Sequence, residues 1–120
     1  MGIPKGLAVD IDPCARTEAK ANIALNKLDD RIAVCRRLSD VTNHTFVLLT
    51  ANLRYPSLKM MAAQLTAQAA DDGVLVLSGI KLEEIEKLIA VYAKQHFICE
   101  WKKTEQEWAA IVLKKQKGQR

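Results

Sequence analysis

A chain of 120 residues, 49% of them hydrophobic, can bury one core, so a single small globular domain over residues 1–120 is expected. The net charge of +4 suggests nucleic acid, yet Lys114, Lys115, Lys117 and Arg120 carry all of it; without them 14 basic residues face 14 acidic ones, and the neutral body argues against direct nucleic-acid binding. With no signal peptide and no apolar run of about 18 residues, neither secretion nor membrane insertion is expected.

The first organising stretch is Leu7-Ala8-Val9-Asp10-Ile11-Asp12-Pro13. Continuous apolar residues predict a parallel strand covered on both faces, ending at Asp10. In doubly wound α/β folds ligands sit beyond the carboxyl ends of the strands, where an acidic side chain commonly accepts hydrogen bonds from a ribose diol. The plainer alternative for Asp10 is a carboxylate that merely flanks the next helix. Asp12 can cap that helix, and Pro13 suits its first position. From Pro13 to Leu28 the small and apolar residues Cys14, Ala15, Ala19, Ala21, Ile23, Leu25 and Leu28 recur near the helical period. They predict a helix whose alanine-rich face lies close against a sheet. Asp29-Asp30 breaks it before a second strand, Ile32–Cys35, completing a βαβ unit with parallel strands.

Residues 37–45 are polar and unpatterned and read as a crossing loop. Phe46 to Ala51 forms the next apolar strand and delivers Asn52 to its carboxyl end, the same end as Asp10; the alternative for Asn52 is a strand-end turn former. A helix follows Tyr55-Pro56, with Leu58, Met60, Met61, Leu65 and Ala69 as its buried stripe. Asp71-Asp72-Gly73 reads as a turn, with Gly73 able to take positive φ. Val74–Leu77 is a third buried strand closed by Ser78-Gly79. Leu82 to about Lys94 is a helix with Ile85, Leu88, Ile89 and Tyr92 on one face, acidic at its start. Two runs, Phe97 to Lys102 and Trp108 to Leu113, predict a terminal antiparallel hairpin. Cys14, Cys35 and Cys99 form no C-x-x-C pair, and with only His44 and His96 besides they suggest neither a disulfide framework nor a metal site. Reduced thiols in a cytoplasmic protein are expected.

The order of these elements resembles the back part of a class I S-adenosylmethionine-dependent methyltransferase, a Rossmann-like, mostly parallel α/β sheet with a C-terminal antiparallel hairpin. More narrowly, Val9-Asp10-Ile11-Asp12-Pro13, Ala21-Asn22-Ile23-Ala24-Leu25-Asn26, Asp30-Arg31, Ala51-Asn52-Leu53, Leu77-Ser78-Gly79-Ile80 and Glu107-Trp108 are similar to the methyltransferases that modify large-subunit ribosomal protein eleven. The resemblance implies S-adenosylmethionine as cofactor, a ribosomal protein as substrate, and no metal. It assigns Asp10 to the cofactor ribose and Asn52 to the place beside the transferring methyl, where it serves both cofactor binding and catalysis. Asn52-Leu53-Arg54-Tyr55 stands where amino methyltransferases carry N-P-P-Y. This offers Tyr55 as a substrate-binding residue against a lysine or other amine, though Arg54-Tyr55-Pro56 departs from the family's small and aliphatic continuation.

A second departure is larger. The family's first strand, glycine-rich loop and following helix, which hold the methionine end of the cofactor, would precede Met1, and the five glycines of this chain make no G-x-G. Three readings follow. The chain is an N-terminally shortened methyltransferase domain, inactive alone and weak toward S-adenosylmethionine; or a non-catalytic Rossmann-like module that associates with itself or another chain; or, less well, a nicotinamide-binding half-domain, which also lacks its G-x-G-x-x-G. The absent strand would lie between residues 7–10 and residues 46–51. Those two strands are therefore expected to pair directly in a six-stranded mixed sheet, or to be completed by a second copy, with an uncovered sheet face buried in a homo-oligomer.

Overall fold

The computed structural model describes residues 6–27, 32–36 and 45–116. Strand β1 (Gly6–Asp10) leads through α1 (Pro13–Leu25) to β2 (Ile32–Cys35). Strand β3 (Phe46–Asn52) leads through α2 (Tyr55–Met60) and α3 (Ala62–Ala67) to β4 (Ala69–Lys81). A 3-10 turn (Leu82–Glu84) and α4 (Ile85–Ala93) then precede the hairpin of β5 (Phe97–Glu105) and β6 (Trp108–Lys115). The polar loop at 37–44, Leu28, the Asp29-Asp30 break and the last basic residues, Lys117 and Arg120, lie outside the described residues.

The six strands form one sheet in the order β2-β1-β3-β4-β6-β5. β2, β1, β3 and β4 are parallel, and β6 and β5 add the antiparallel edge. β1 pairs β3 directly, from Gly6 opposite Leu48 to Asp10 opposite Asn52, so the chain itself closes the seam that the sequence left open. This pairing satisfies backbone groups that would otherwise be bare along two apolar edges.

Topology decides which face is filled. The connection from β1 steps toward the β2 edge and that from β3 toward β4. Right-handed crossovers running in opposite directions put their helices on opposite faces. Strand alternation agrees: Leu7, Val9, Leu49, Ala51, Leu75, Leu77, Ile111 and Leu113 are buried against Leu58, Leu65, Ile85, Leu88 and Tyr92 of α2, α3 and α4. The intervening register row Ala8, Thr50, Val76, Val112 turns the other way and is only half-buried, with Leu48 beside it 39% exposed.

Several expectations are corrected. Helix α1 ends at Leu25 rather than Leu28, with Asn26 as its C-cap and Lys27 at φ 57°. It contains no buried residue: Ala15, Ala19 and Ile23 are half-buried, Cys14 and Ala21 exposed, and Leu25 is 80% exposed. It is the one described helix on its face, and no described element packs over its outer side. The helix after Tyr55 breaks at Met61, which leaves Met60 83% exposed instead of in the core, and Ala69 begins β4. Asp71-Asp72-Gly73 is not a turn between elements but a bulge within β4, where two steps of β3 from Phe46 to Leu48 face five of β4 from Ala69 to Val74. Gly73 does not have positive φ; it is required because a Cβ would meet the carbonyl oxygens of Ala70 and Phe46 at 2.8 and 2.9 Å. Nor does Ser78-Gly79 end β4, which bulges there and runs on to Lys81.

Candidate functional site

Strands β1 and β3 are neighbours whose connections leave in opposite directions, and that reversal is where an α/β sheet opens a crevice at its carboxyl end. The last residues of these strands, Asp10 and Asn52, are register partners, and Asn52 Nδ2 donates to Asp10 Oδ2 at 3.1 Å. The sequence's two strand-end polar groups are thus brought together in direct contact. The local sequence explains the precision of Asp10. Its Oδ1 accepts the Asp12 backbone N–H at 2.9 Å, Asp12 in turn accepts the Cys14 N–H as the cap of α1, and Pro13 occupies the first turn. Arg16 Nη1 donates to the Asp10 backbone oxygen at 2.9 Å, tying the helix to the strand end.

Gly79 closes the site from the β4 side. Asn52 is opposite Ser78 in the sheet, the Leu53 N–H donates to the Ser78 carbonyl at 3.2 Å, and Gly79 follows at φ +87°. A Cβ on Gly79 would lie 2.6 Å from Asn52 Oδ1 and 3.0 Å from the Leu53 oxygen, so the backbone approaches the amide as only glycine allows.

Two clefts meet at this glycine. The first, of about 300 Å³, is lined by Asn52, Ser78, Gly79, Lys103, Glu105 and Trp108. The second, of about 230 Å³, is lined by Arg54, Tyr55, Gly79, Lys81, Glu84 and Trp108 among others. Tyr55 therefore stands in the neighbouring cleft, not in that of Asn52, with Gly79 and Trp108 as the common wall. Glu84 is already engaged, its Oε1 accepting the Lys81 N–H at 2.8 Å. Among the described residues no three His, Cys, Asp or Glu side chains gather to hold a metal ion.

Sequence reasoning missed Trp108, Lys103, Glu105 and the close approach of Gly79. The signal for Trp108 was present in Glu107-Trp108. Its placement depends on a turn at Gln106, φ 57°, that extends both hairpin strands beyond their apolar runs and carries the indole over the ends of β3 and β4.

Comparison with known proteins follows the same residues. The family model described as ribosomal protein L11 methyltransferase (PrmA) matches residues 1–116. The ribosomal protein L11 methyltransferase of Pelobacter propionicus is 33% identical over 115 residues, which are 96% of this chain and 37% of that protein. The one from Heliobacterium modesticaldum is 32% identical over 117 residues, with the same two coverages. The chain thus spans little more than a third of the length of these relatives. The crystal structure of the ribosomal protein L11 methylase from Lactobacillus delbrueckii subsp. bulgaricus superimposes with a TM-score of 0.70 at 28% identity, over 92% of this chain and 57% of that one. An S-adenosylmethionine-dependent methyltransferase from Clostridium acetobutylicum shares the fold at a TM-score of 0.58 and 15% identity, over 92% of this chain and 74% of that one. Motifs that build both strand ends and the hairpin lie within a match covering nearly every residue, and this chain belongs to the ribosomal protein L11 methyltransferase (PrmA) family.

Proposed function

We propose that this chain contributes the ribose-binding carboxylate and the acceptor side of an S-adenosylmethionine-dependent methyl transfer to an amine of a ribosomal protein. The observation that carries the reading is that Asp10 and Asn52 each end a parallel strand at the same, carboxyl edge of a sheet whose family is established. Asp10 is the ribose acceptor, since an ionised carboxylate has about four lone-pair sites and only two are in use here. The amide oxygen of Asn52 orients the acceptor nitrogen, while Tyr55, in the adjoining cleft across Gly79 and Trp108, is the candidate contact for the rest of the substrate. S-adenosylmethionine, when bound, supplies an electrophilic methyl group. The contribution of the chain's own residues is to hold a deprotonated amine in line with it, which is a matter of positioning.

The residues fit the ribose end of the cofactor and not its methionine end. Asp10 offers about one charge-assisted hydrogen bond, roughly 1.5–3 kcal/mol, whereas even millimolar affinity needs about 4 kcal/mol. No G-x-G in the 120 residues cradles the rest. The chain by itself is therefore inactive and binds S-adenosylmethionine weakly. Calorimetric titration of the 120-residue chain should show no saturation at micromolar cofactor; a micromolar Kd would refute this part. The catalytic part is tested by a chimera in which this chain replaces the matching segment of the Pelobacter propionicus relative. Methyl transfer to ribosomal protein L11 should survive, and Asn52→Ala should lower turnover more than cofactor affinity. A dead but folded, cofactor-binding chimera would overturn it.

A second reading, a self-associating module of the same fold, is favoured by one observation. The sheet face carrying Leu48, Thr50, Val76 and Val112 has, among the described helices, α1 alone upon it, although parallel sheets are ordinarily covered on both faces. On either reading we take residues 1–120 as one domain and assign it to the cytoplasm, where thiols stay reduced. No helix among the described residues is long and apolar enough to cross a membrane.

A further inference from the structure

We propose that the second cleft is a carboxylate site, in which Arg54 and Lys81 receive an acidic side chain of the protein substrate close to the amine being methylated. Both cations stand where the chain leaves a strand of the parallel sheet and enters a helical turn: Arg54 is the N-cap of α2, and Lys81 that of the 3-10 turn after β4. Their backbones are held there. The Arg54 carbonyl accepts the Leu58 N–H at 3.0 Å, and the Lys81 N–H donates to Glu84 Oε1 at 2.8 Å. Both residues are exposed, line the cleft, and have no ion pair among the described residues, where the pairs formed are Lys102 with Glu86 and Lys115 with Asp71. No lining residue belongs to β1, so the cleft does not depend on how β1 and β3 meet.

Size and charge select the ligand. The cleft, about 230 Å³, falls below the range of about 300–1,000 Å³ for drug-sized molecules and suits a single side chain. Half-buried Tyr55 and the Trp108 indole give it apolar walls for the methylenes of a glutamate. A planar guanidinium matches a carboxylate with two parallel hydrogen bonds, and an ammonium adds a point charge. Against these two cations the lining holds one carboxylate, Glu84, so one positive charge is in excess. A lysine side chain would find the same rings but meet that excess. In the first cleft Lys103 and Glu105 cancel. The clefts share Gly79 and Trp108, so a peptide with its amine at Asn52 lays a neighbouring residue across this wall into the second. That placement of the amine rests on the methyltransferase reading; the affinity of the cleft for a carboxylate does not.

Amide spectra of the nitrogen-15-labelled 120-residue chain test the site without any activity. The probe is glutamic acid blocked as its N-acetyl amide, with the blocked glutamine as its neutral isostere. The Trp108 indole N–H and the Gly79 amide should shift with the first and not with the second, and added salt should weaken the response. Arg54→Gln and Lys81→Gln should each weaken binding roughly two- to fivefold, the range of an exposed ion pair, and together should abolish it. Glu84→Gln keeps an acceptor for the Lys81 N–H and removes the opposing charge, so it should tighten binding. Equal shifts with the two probes, tighter binding of blocked lysine, or a response indifferent to both cation substitutions would overturn the proposal. In the chimera the Arg54→Gln, Lys81→Gln pair should raise KM for ribosomal protein L11 more than it lowers kcat, and an unchanged KM would overturn the assignment to substrate. A chimera without methyl transfer, with the probe titrations as expected, would instead refute only the functional reading.

Discussion

The Tyr92 hydroxyl, fully buried on α4, donates to the Leu58 carbonyl at 2.7 Å, joining the helix that precedes the hairpin to the helix that follows Asn52. Leu58 lies in the last turn of α2, just before the break at Met61, where carbonyl oxygens lack helical partners. The bond therefore satisfies a group that the break would otherwise leave bare in the core, and it holds the helix whose first residue, Tyr55, lines the second cleft.

Tyr92→Phe removes the donor and leaves the buried carbonyl unpaired, which should cost about 1–3 kcal/mol. A urea titration should show the midpoint falling by about 1 M, given slopes of about 1–3 kcal/mol per molar. Burial also pushes the Tyr92 phenol well above its ordinary value of 10.0. The sign follows: the neutral form is favoured in the folded state, so this stabilisation is complete below pH 10 and lost progressively above it, toward the raised folded value. The wild type should therefore lose stability above pH 10 more steeply than Tyr92→Phe; parallel curves would show that the hydroxyl is not held neutral by the core.

Gly79→Ala places a Cβ against Asn52 Oδ1 at a backbone φ of +87°. Strain and displacement together should cost about 1–3 kcal/mol and move the Asn52 amide off Asp10. Thermal melts would show the loss of stability, and side-chain amide exchange at Asn52 the displacement. A Gly79→Ala variant with wild-type melting and an unmoved Asn52 would contradict the close approach.

Much of this framework was legible in the sequence because it depends on local pattern. Asp10 and Asn52 end apolar runs, and nothing but strand length is needed to place them at one end of the sheet. What escaped was set by neighbours in space. The run Asp71-Asp72-Gly73 has turn chemistry, but its pairing with β3 converts it into a bulge inside a 13-residue strand. Met60 fits an apolar stripe until the break at Met61 turns it to solvent. Leu25 fits the period of α1, yet no described element lies over it. Periodicity reports which residues share a face, and not whether anything covers that face.

That uncovered face gives a third prediction. Leu48, at 39% exposure on a central strand, marks it, and a second copy is the proposed cover. Light scattering at about micromolar concentration should find a dimer. Leu48→Lys should return it to a monomer, because a Lys at a central interface position is costly to bury. A wild-type monomer, or a dimer indifferent to Leu48→Lys, would remove the sheet face as the contact.

The last prediction turns the central pair against itself. Asn52→Asp keeps the size of the side chain and replaces the donor facing Asp10 Oδ2 with a second carboxylate at about the same 3.1 Å. Near water two such charges repel by about 1–3 kcal/mol, between the limits of bulk solvent and a protein interior. One carboxyl of the pair then holds its proton to higher pH than an isolated one would, because sharing the proton restores a hydrogen bond. The sign is the reverse of a salt bridge: the variant should be weaker than the wild type at neutral pH and should recover, relative to it, as acid protonates the pair. Denaturation midpoints of both proteins between about pH 4 and 8 would show the difference narrowing toward the acid end. A constant difference across that range would mean that the two side chains part in solution, and that the bond between the strand ends does not hold the site together.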